Sequence, residues 1–342
     1  MRKLIVYPNC SKGGICSVIR ARARAEPRVH FDLVFFFDRG GKYAYDDIDN
    51  VSVRIVRKDR AKSYLTYVTK TFTYEEVSIL SDPESANTLS ENPELVVTYE
   101  FHTSNIEIIR NELSNLNIDK IACIAAPSTQ MVELIKEIVP PRIRFRTLVK
   151  PNAIDLSLFK RRVSFYLDYS RFDHDHDGVP LLWVGRFDGG KGYPYFLRAL
   201  AMLPKMYYAI IVVSLENDIS RINNFFAECY AAGVQDRVRI LLDLPQPEMA
   251  DLYLAIGKRG GFLISTSLME SFGYAVLEAL ESGVNVVAFD LAVWDNFKDY
   301  SGFSRVCSGD VQEMVCKIKQ NFQSRPASKG QLEKCQDPAG SQ

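Results

Sequence analysis

Two glutamates eight positions apart, Glu270 and Glu278, lie in the stretch SLMESFGYAVLEALESG, which runs from Ser267 to Gly283. The stretch opens as a polar turn and continues with apolar residues spaced by three and four, the period of a helix with one buried face. Glycine follows at 283, a usual helix stop. A helix N-terminus offers free backbone N–H groups and a partial positive charge, which suits phosphate. Gly273 has no side chain to shield those amides. Carboxylates next to a phosphate are poor phosphate ligands, but they accept hydrogen bonds from neutral hydroxyls. At 1.5 Å per residue, two helical turns set the carboxylates roughly 11 Å apart. A ligand with a sugar at each side of a phosphate centre, the layout of a nucleotide sugar, meets those requirements.

A second stretch repeats the theme. In VGRFDGGKGYPYFLRAL an apolar run ends at Arg186, a loop with Gly189 and Gly190 follows, and Lys191-Gly192 opens a helix with Pro194 in its first turn. Arg186 and Lys191 supply two positive charges around a flexible turn, a clamp for a diphosphate. The G-K-[ST] of a Walker loop is absent. Read singly, paired glutamates on a helix and a basic turn are most often solvated surface. Together, each at the carboxyl end of a candidate strand, they narrow the choice.

The elements that must carry these residues are legible as two series of apolar runs separated by helix-like stretches. The first series spans 3–8, 32–38, 51–57, 95–100 and 120–126; the second spans 180–186, 207–214, 238–243, 261–266 and 284–290. The runs are continuous rather than alternating, as in strands buried on both faces of parallel sheets. Ser104-Asn-Ile-Glu107 has the form of a capping box. The polar segment 149–179 divides the series. The expected organisation is α/β, with a Rossmann-like domain over 1–150, a second over 151–322, a central cleft between them and a disordered tail over 323–342. The last stretch shows no clear long helix.

Composition excludes several classes. Lys plus Arg and Asp plus Glu number 42 each, so no net field draws the chain to nucleic acid or an anionic membrane. The basic stretches 20–24 and 142–146 read as solvated faces, leaving at most peripheral membrane contact. Seven cysteines without a CxxC pair fit a reduced, cytoplasmic protein. No apolar run reaches the ~18 residues of a membrane span. His174-Asp-His-Asp177 has consecutive candidate ligands in a polar linker and reads as solvated linker, not as a metal site.

The blocks Lys150-Pro-Asn-Ala-Ile-Asp155, Gly185–Gly192 and Ser267–Ala288, in that order, closely resemble the retaining glycosyltransferases of family 4 (glycosyl transferases group 1), which have the GT-B fold. The resemblance is strongest over 148–290, and Lys12-Gly-Gly14 extends it to a glycine turn facing the donor phosphates, with Gly13 and Gly14 as donor-binding positions. It implies transfer of a sugar from a nucleoside-diphosphate sugar to an acceptor hydroxyl, with no metal or other cofactor. Arg186 and Lys191 would hold the departing diphosphate. Glu270 would bind hydroxyls of the transferred sugar, and the amides of Ser271, Phe272 and Gly273 the phosphates. Glu278 would hold the ribose. His102 would lie over the sugar, and Asn152 of the Lys-Pro-Asn turn would bind the donor. The acceptor would be a glycan, a lipid-linked, small-molecule or protein hydroxyl. Three positions depart from the family pattern: Ala153 in place of glycine, Asn285 in place of proline, and Leu291-Ala-Val-Trp-Asp295 in place of Gly-Gly-x-x-Glu, with Asp295 standing where the family has Glu. Other readings on this architecture are a nucleotide-sugar epimerase and a catalytically silent nucleotide-sugar-binding protein.

Overall fold

The computed structural model describes residues 1–11, 13–160, 178–213 and 220–324. Lys12, the His174–Asp177 run and residues 325–342 of the expected tail lie outside the described residues. The chain forms two parallel sheets flanked by helices. The first is seven-stranded, with order β3-β2-β1-β4-β5-β6-β7. Its strands are β1 (Arg2–Cys10), β2 (His30–Asp38), β3 (Val51–Ile55), β4 (Glu76–Leu80), β5 (Val97–Glu100), β6 (Cys123–Ala126) and β7 (Thr147–Val149). The second is six-stranded, with order β10-β9-β8-β11-β12-β13. It comprises β8 (Val179–Val184), β9 (Tyr207–Val213), β10 (Val238–Leu242), β11 (Phe262–Ser265), β12 (Asn285–Phe289) and β13 (Phe303–Val306).

Continuous apolar runs become the central strands because helices cover both faces. β9, Tyr207–Val213, is buried at every position. The two faces of each sheet bury separate clusters: Leu4, Val6 and Ile79 on one side of the first sheet and Ile5, Leu33 and Phe35 on the other. In the second sheet Trp183 and Ile211 pack on one side, Leu182 and Ile210 on the other. Both sheets reverse strand order once, at β1/β4 and at β8/β11. Doubly wound sheets bind ligands at the carboxyl ends of the strands at such a reversal.

Three strands escaped the sequence reading: β4, β7 and β13. Two local expectations are corrected. The helix Ile106–Ser114 is capped by Asn105, whose Oδ1 accepts from the amides of Glu107 and Ile108; Ser104 precedes the cap. The C-terminal stretch does contain a long helix, Val311–Gln323, capped by Asp310. Its Met314, Val315 and Ile318 pack into the core of the second sheet. No helix among the described residues is long and apolar enough to cross a membrane.

Candidate active site

Between the two sheets lies a cavity of roughly 400 Å³. From the second sheet Arg186, Lys191, Glu270, Ser271, Gly273 and Glu278 line it; from the first come Gly13, Gly14 and His102, with Asn152 from the connection between them. Arg186 and Lys191 lie on the loop that leaves β8, and Glu270 on the loop that leaves β11. These strands are neighbours at the reversal of the second sheet. The glycine turn leaves β1, the first sheet's own reversal strand.

The two loops are bonded to each other. The amide of Leu268 donates to the carbonyl of Gly190 at 2.8 Å. The Thr266 hydroxyl donates to the carbonyl of Lys191 at 3.1 Å and accepts from the indole N–H of Trp183 at 3.0 Å. Gly192 caps the helix Tyr193–Met202 in the left-handed region, φ 62°. A Cβ there would lie 2.3 Å from the carbonyl oxygen of Thr266. So the stretches that stood 79 positions apart in sequence, counted from Lys191 to Glu270, form one unit.

The cations are engaged. Lys191 Nζ donates to Glu270 Oε1, which also accepts from the Ser267 hydroxyl at 2.8 Å. Arg186 Nε lies 3.1 Å from Asp188 Oδ2, and Asp188 Oδ1 accepts from the Lys191 amide at 3.0 Å. Asp188 therefore shapes the turn and tethers Arg186, a role the sequence reading did not give it.

The helix Tyr274–Glu281 begins at Gly273, φ 90°. The structure supplies a reason for glycine that the sequence did not show. A Cβ at 273 would lie 2.2 Å from Cζ3 of Trp294, a fully buried ring. Trp294 belongs to the altered Leu291–Asp295 turn and donates its N–H to the carbonyl of Phe289 at 2.7 Å. Asp295 does not line the cavity; it pairs with Arg305 at 2.8 Å on the surface. Phe272 also turns away, packing its ring against Tyr274 and Phe297 at centroid distances of 4.8 and 5.8 Å.

Glu278, half-buried, takes a hydrogen bond from the Tyr253 hydroxyl at 3.3 Å. Burial pushes its carboxyl up to about 8, and the Tyr253 bond opposes this only in part. The folded chain therefore holds a proton that the unfolded chain has lost across the window from about 4.5 to 8. Stability from this group is complete below that window and falls as pH rises through it. A Glu278→Gln variant, neutral at every pH, is expected to show a flatter dependence of Tm on pH. At the alkaline end its gain is on the order of 1 kcal/mol, about 2–4 °C, because solvent screens part of the effect. An unchanged pH slope in thermal melts would remove Glu278 as its source.

On the first domain's side Glu100 is 1% exposed. Arg22 grips it with both terminal guanidinium nitrogens, at 3.0 and 2.8 Å, and Lys150 donates at 2.7 Å. Lys150 also engages Glu76 and the Ser78 hydroxyl. His102 Nε2 lies 3.2 Å from Glu100 Oε2. Burial would push the Glu100 carboxyl up, but His102, Arg22 and Lys150 together outweigh burial and hold it well below the usual carboxylate range.

The sequence reading missed Tyr274 and Ser11. The Tyr274 ring lines the cavity from the second domain and reaches across it: a Cβ at Gly14 would lie 3.5 Å from its Cδ2. Its position, first in the helix and on the face that also carries Glu278, was visible in the sequence. Ser11 accepts the amide of Gly13 at 3.1 Å and so fixes the glycine turn. Asn152 is buried, and its Oδ1 has no partner among the described residues; the same holds for the Tyr274 hydroxyl.

Residues 170–324 match the family model described as glycosyl transferases group 1. An uncharacterised glycosyltransferase of Methanocaldococcus jannaschii is 26% identical over 141 residues, 41% of this chain and 34% of that protein. A D-inositol 3-phosphate glycosyltransferase of Streptosporangium roseum is 32% identical over 126 residues, 34% of this chain and 28% of that protein. The chain thus spans about a third of the length of the curated relatives it matches. Among solved structures, Anabaena HepE in complex with UDP and glucose superposes with a TM-score of 0.78 at 16% identity, covering 95% of this chain and 90% of that one. WaaG, a glycosyltransferase of lipopolysaccharide biosynthesis, superposes at 0.68 with 13% identity, covering 94% and 90%.

Proposed function

We propose, from a C-terminal region, 170–324, that matches the model of glycosyl transferases group 1 and a whole chain with the GT-B fold, that this protein transfers a sugar from a nucleoside-diphosphate sugar to an acceptor hydroxyl with retention of configuration. One observation carries the reading. Arg186, Lys191, Glu270, Gly273 and Glu278 line a single interdomain cavity, with Gly13 and Gly14 across from them. The cations and the open helix mouth suit a diphosphate whose charge grows as it leaves. Glu270 suits sugar hydroxyls. Glu278 suits the ribose. The orphaned Asn152 Oδ1 and Tyr274 hydroxyl add hydrogen-bonding capacity for a hydroxyl-rich ligand, since a buried polar atom without a partner costs about 1–3 kcal/mol until one arrives.

The protein groups match the diphosphate charge themselves, so turnover is expected to persist in a chelator. Uridine nucleotides head the candidates because the similar HepE structures hold UDP, UDP with glucose, and UDP-glucose. The test is a thermal-shift panel of nucleoside diphosphates and their sugars, followed by product analysis. A ligand at 100 times its Kd stabilises the folded state by about 2.7 kcal/mol. A panel in which no nucleotide raises Tm would sink the proposal. The anomeric proton coupling of the product reads the stereochemistry.

A second reading, nucleotide-sugar binding without transfer, draws on Asp295, which pairs with Arg305 instead of facing the cavity. Tight nucleotide binding with no glycosylated product from any acceptor would favour it.

A further inference from the structure

The network beneath His102 has no role in the reading above, yet it joins three elements that face the cavity. Arg22 lies on the helix Gly14–Ala25, which begins at the glycine turn. Lys150 precedes Asn152 in the connection to the second domain. His102 follows β5, which ends at Glu100 itself. All three side chains meet on one buried carboxylate.

That carboxylate is ionised beside two cations, so it has acceptors only. The ring nitrogen facing it must then carry the proton. In a neutral imidazole this leaves the other nitrogen, Nδ1, as an acceptor. Nδ1 takes no hydrogen bond from another described residue, while the ring lines the cavity. Arg22 bonds both oxygens of Glu100, sharing Oε2 with the ring, and Lys150 bonds Oε1, which removes the rotational freedom a lone carboxylate would have.

We propose that Glu100 is a positioning residue: clamped by Arg22 and Lys150, it holds His102 by Nε2 and leaves Nδ1 as the ring atom that receives a hydroxyl of the transferred sugar. The identity of that hydroxyl rests on the glycosyltransferase reading; the way the ring is held does not. The arrangement has the logic of a carboxylate that fixes the tautomer and orientation of a histidine for another partner. It also explains why a charged cluster occupies the interior of the first domain, where a buried ion set on its own contributes little net stability.

The experiment uses the full chain labelled with 15N-histidine. The sequence holds four histidines, and the His102 signals are those lost in His102→Ala. In the wild type, proton–nitrogen spectra at neutral pH are expected to show His102 protonated at Nε2, and Glu100→Gln is expected to abolish that fixed tautomer. A wild-type ring protonated at Nδ1 overturns the proposal with no need for a variant of Glu100. An unchanged tautomer in folded Glu100→Gln does the same. If that variant fails to fold, Glu100→Asp keeps the charge and withdraws its reach.

Turnover supplies the second readout. Glu100→Gln should lower kcat about tenfold, as a displaced reacting partner does, with the donor KM little changed. In the His102→Ala background it should cause no further loss. A loss repeated in that background would mean that Glu100 acts through something else, and the proposal falls. A wild type inactive with every nucleotide sugar would refute the transferase reading, while the tautomer measurement would still decide how the ring is held.

Discussion

Lys191→Ala should lower kcat by about 100-fold or more while leaving the fold intact. Lys191 Nζ is the cation nearest the Glu270 carboxylate, and both line the cavity. They neutralise each other. On the proposed reading, a diphosphate would compete for the lysine, and as Lys191 turned to it, Glu270 would be released to accept hydroxyls of the sugar. One exchange of partners would thus ready both groups, and alanine would remove the charge that balances the leaving diphosphate. Lys191→Arg should recover little, because the planar guanidinium would point its fork at Glu270 and Asp188 alike. Steady-state kinetics on a variant whose melting curve matches the wild type checks the expectation. Wild-type turnover would exclude Lys191 from the chemistry.

Gly273→Ala should destabilise the second domain by roughly 2–4 kcal/mol, about 5–10 °C in Tm, and weaken nucleotide binding with it. Two penalties combine at this site. The residue sits at φ 90°, where a side chain is strained, and its Cβ would meet the Trp294 ring at 2.2 Å. Trp294 has nowhere to go: it is fully buried and its N–H is committed to Phe289. Gly283 provides the control. It has φ 77° but nothing within 4 Å of an added Cβ, so Gly283→Ala reports the backbone penalty alone, about 1 kcal/mol. Equal losses at 273 and 283 in thermal melts would show that the Trp294 contact is irrelevant.

How much of this was legible in the sequence depended on whether local chemistry agreed with local pattern. Arg186, Lys191, Glu270 and Glu278 were legible because loops at the ends of apolar runs carried charge that packing did not require. β4 was not. It lies beside β1, yet its Ser78 breaks the apolar run, and that serine is buried with its hydroxyl accepting from the Lys150 ammonium. The same ion network that disguised the strand hid Glu100, whose significance rests on contacts 78 and 50 positions away. The helix Val311–Gln323 carried its signal openly, with Val311, Met314, Val315, Ile318 and Phe322 at helical spacing, but the interleaved Gln, Lys and Asn lowered the mean apolarity enough to mask it. Asp295 shows the opposite error: it occupies a position the family pattern marks, yet Arg305 draws it outward.

The hydrogen bonds from Leu268 to Gly190 and from Thr266 to Lys191 carry a consequence for how such a chain can change over generations. Inserting or deleting a residue in either loop would shift the register of its partner and displace both Lys191 and Glu270 at once. The lengths of these loops are therefore coupled, and a change in one is tolerated only with a matching change in the other.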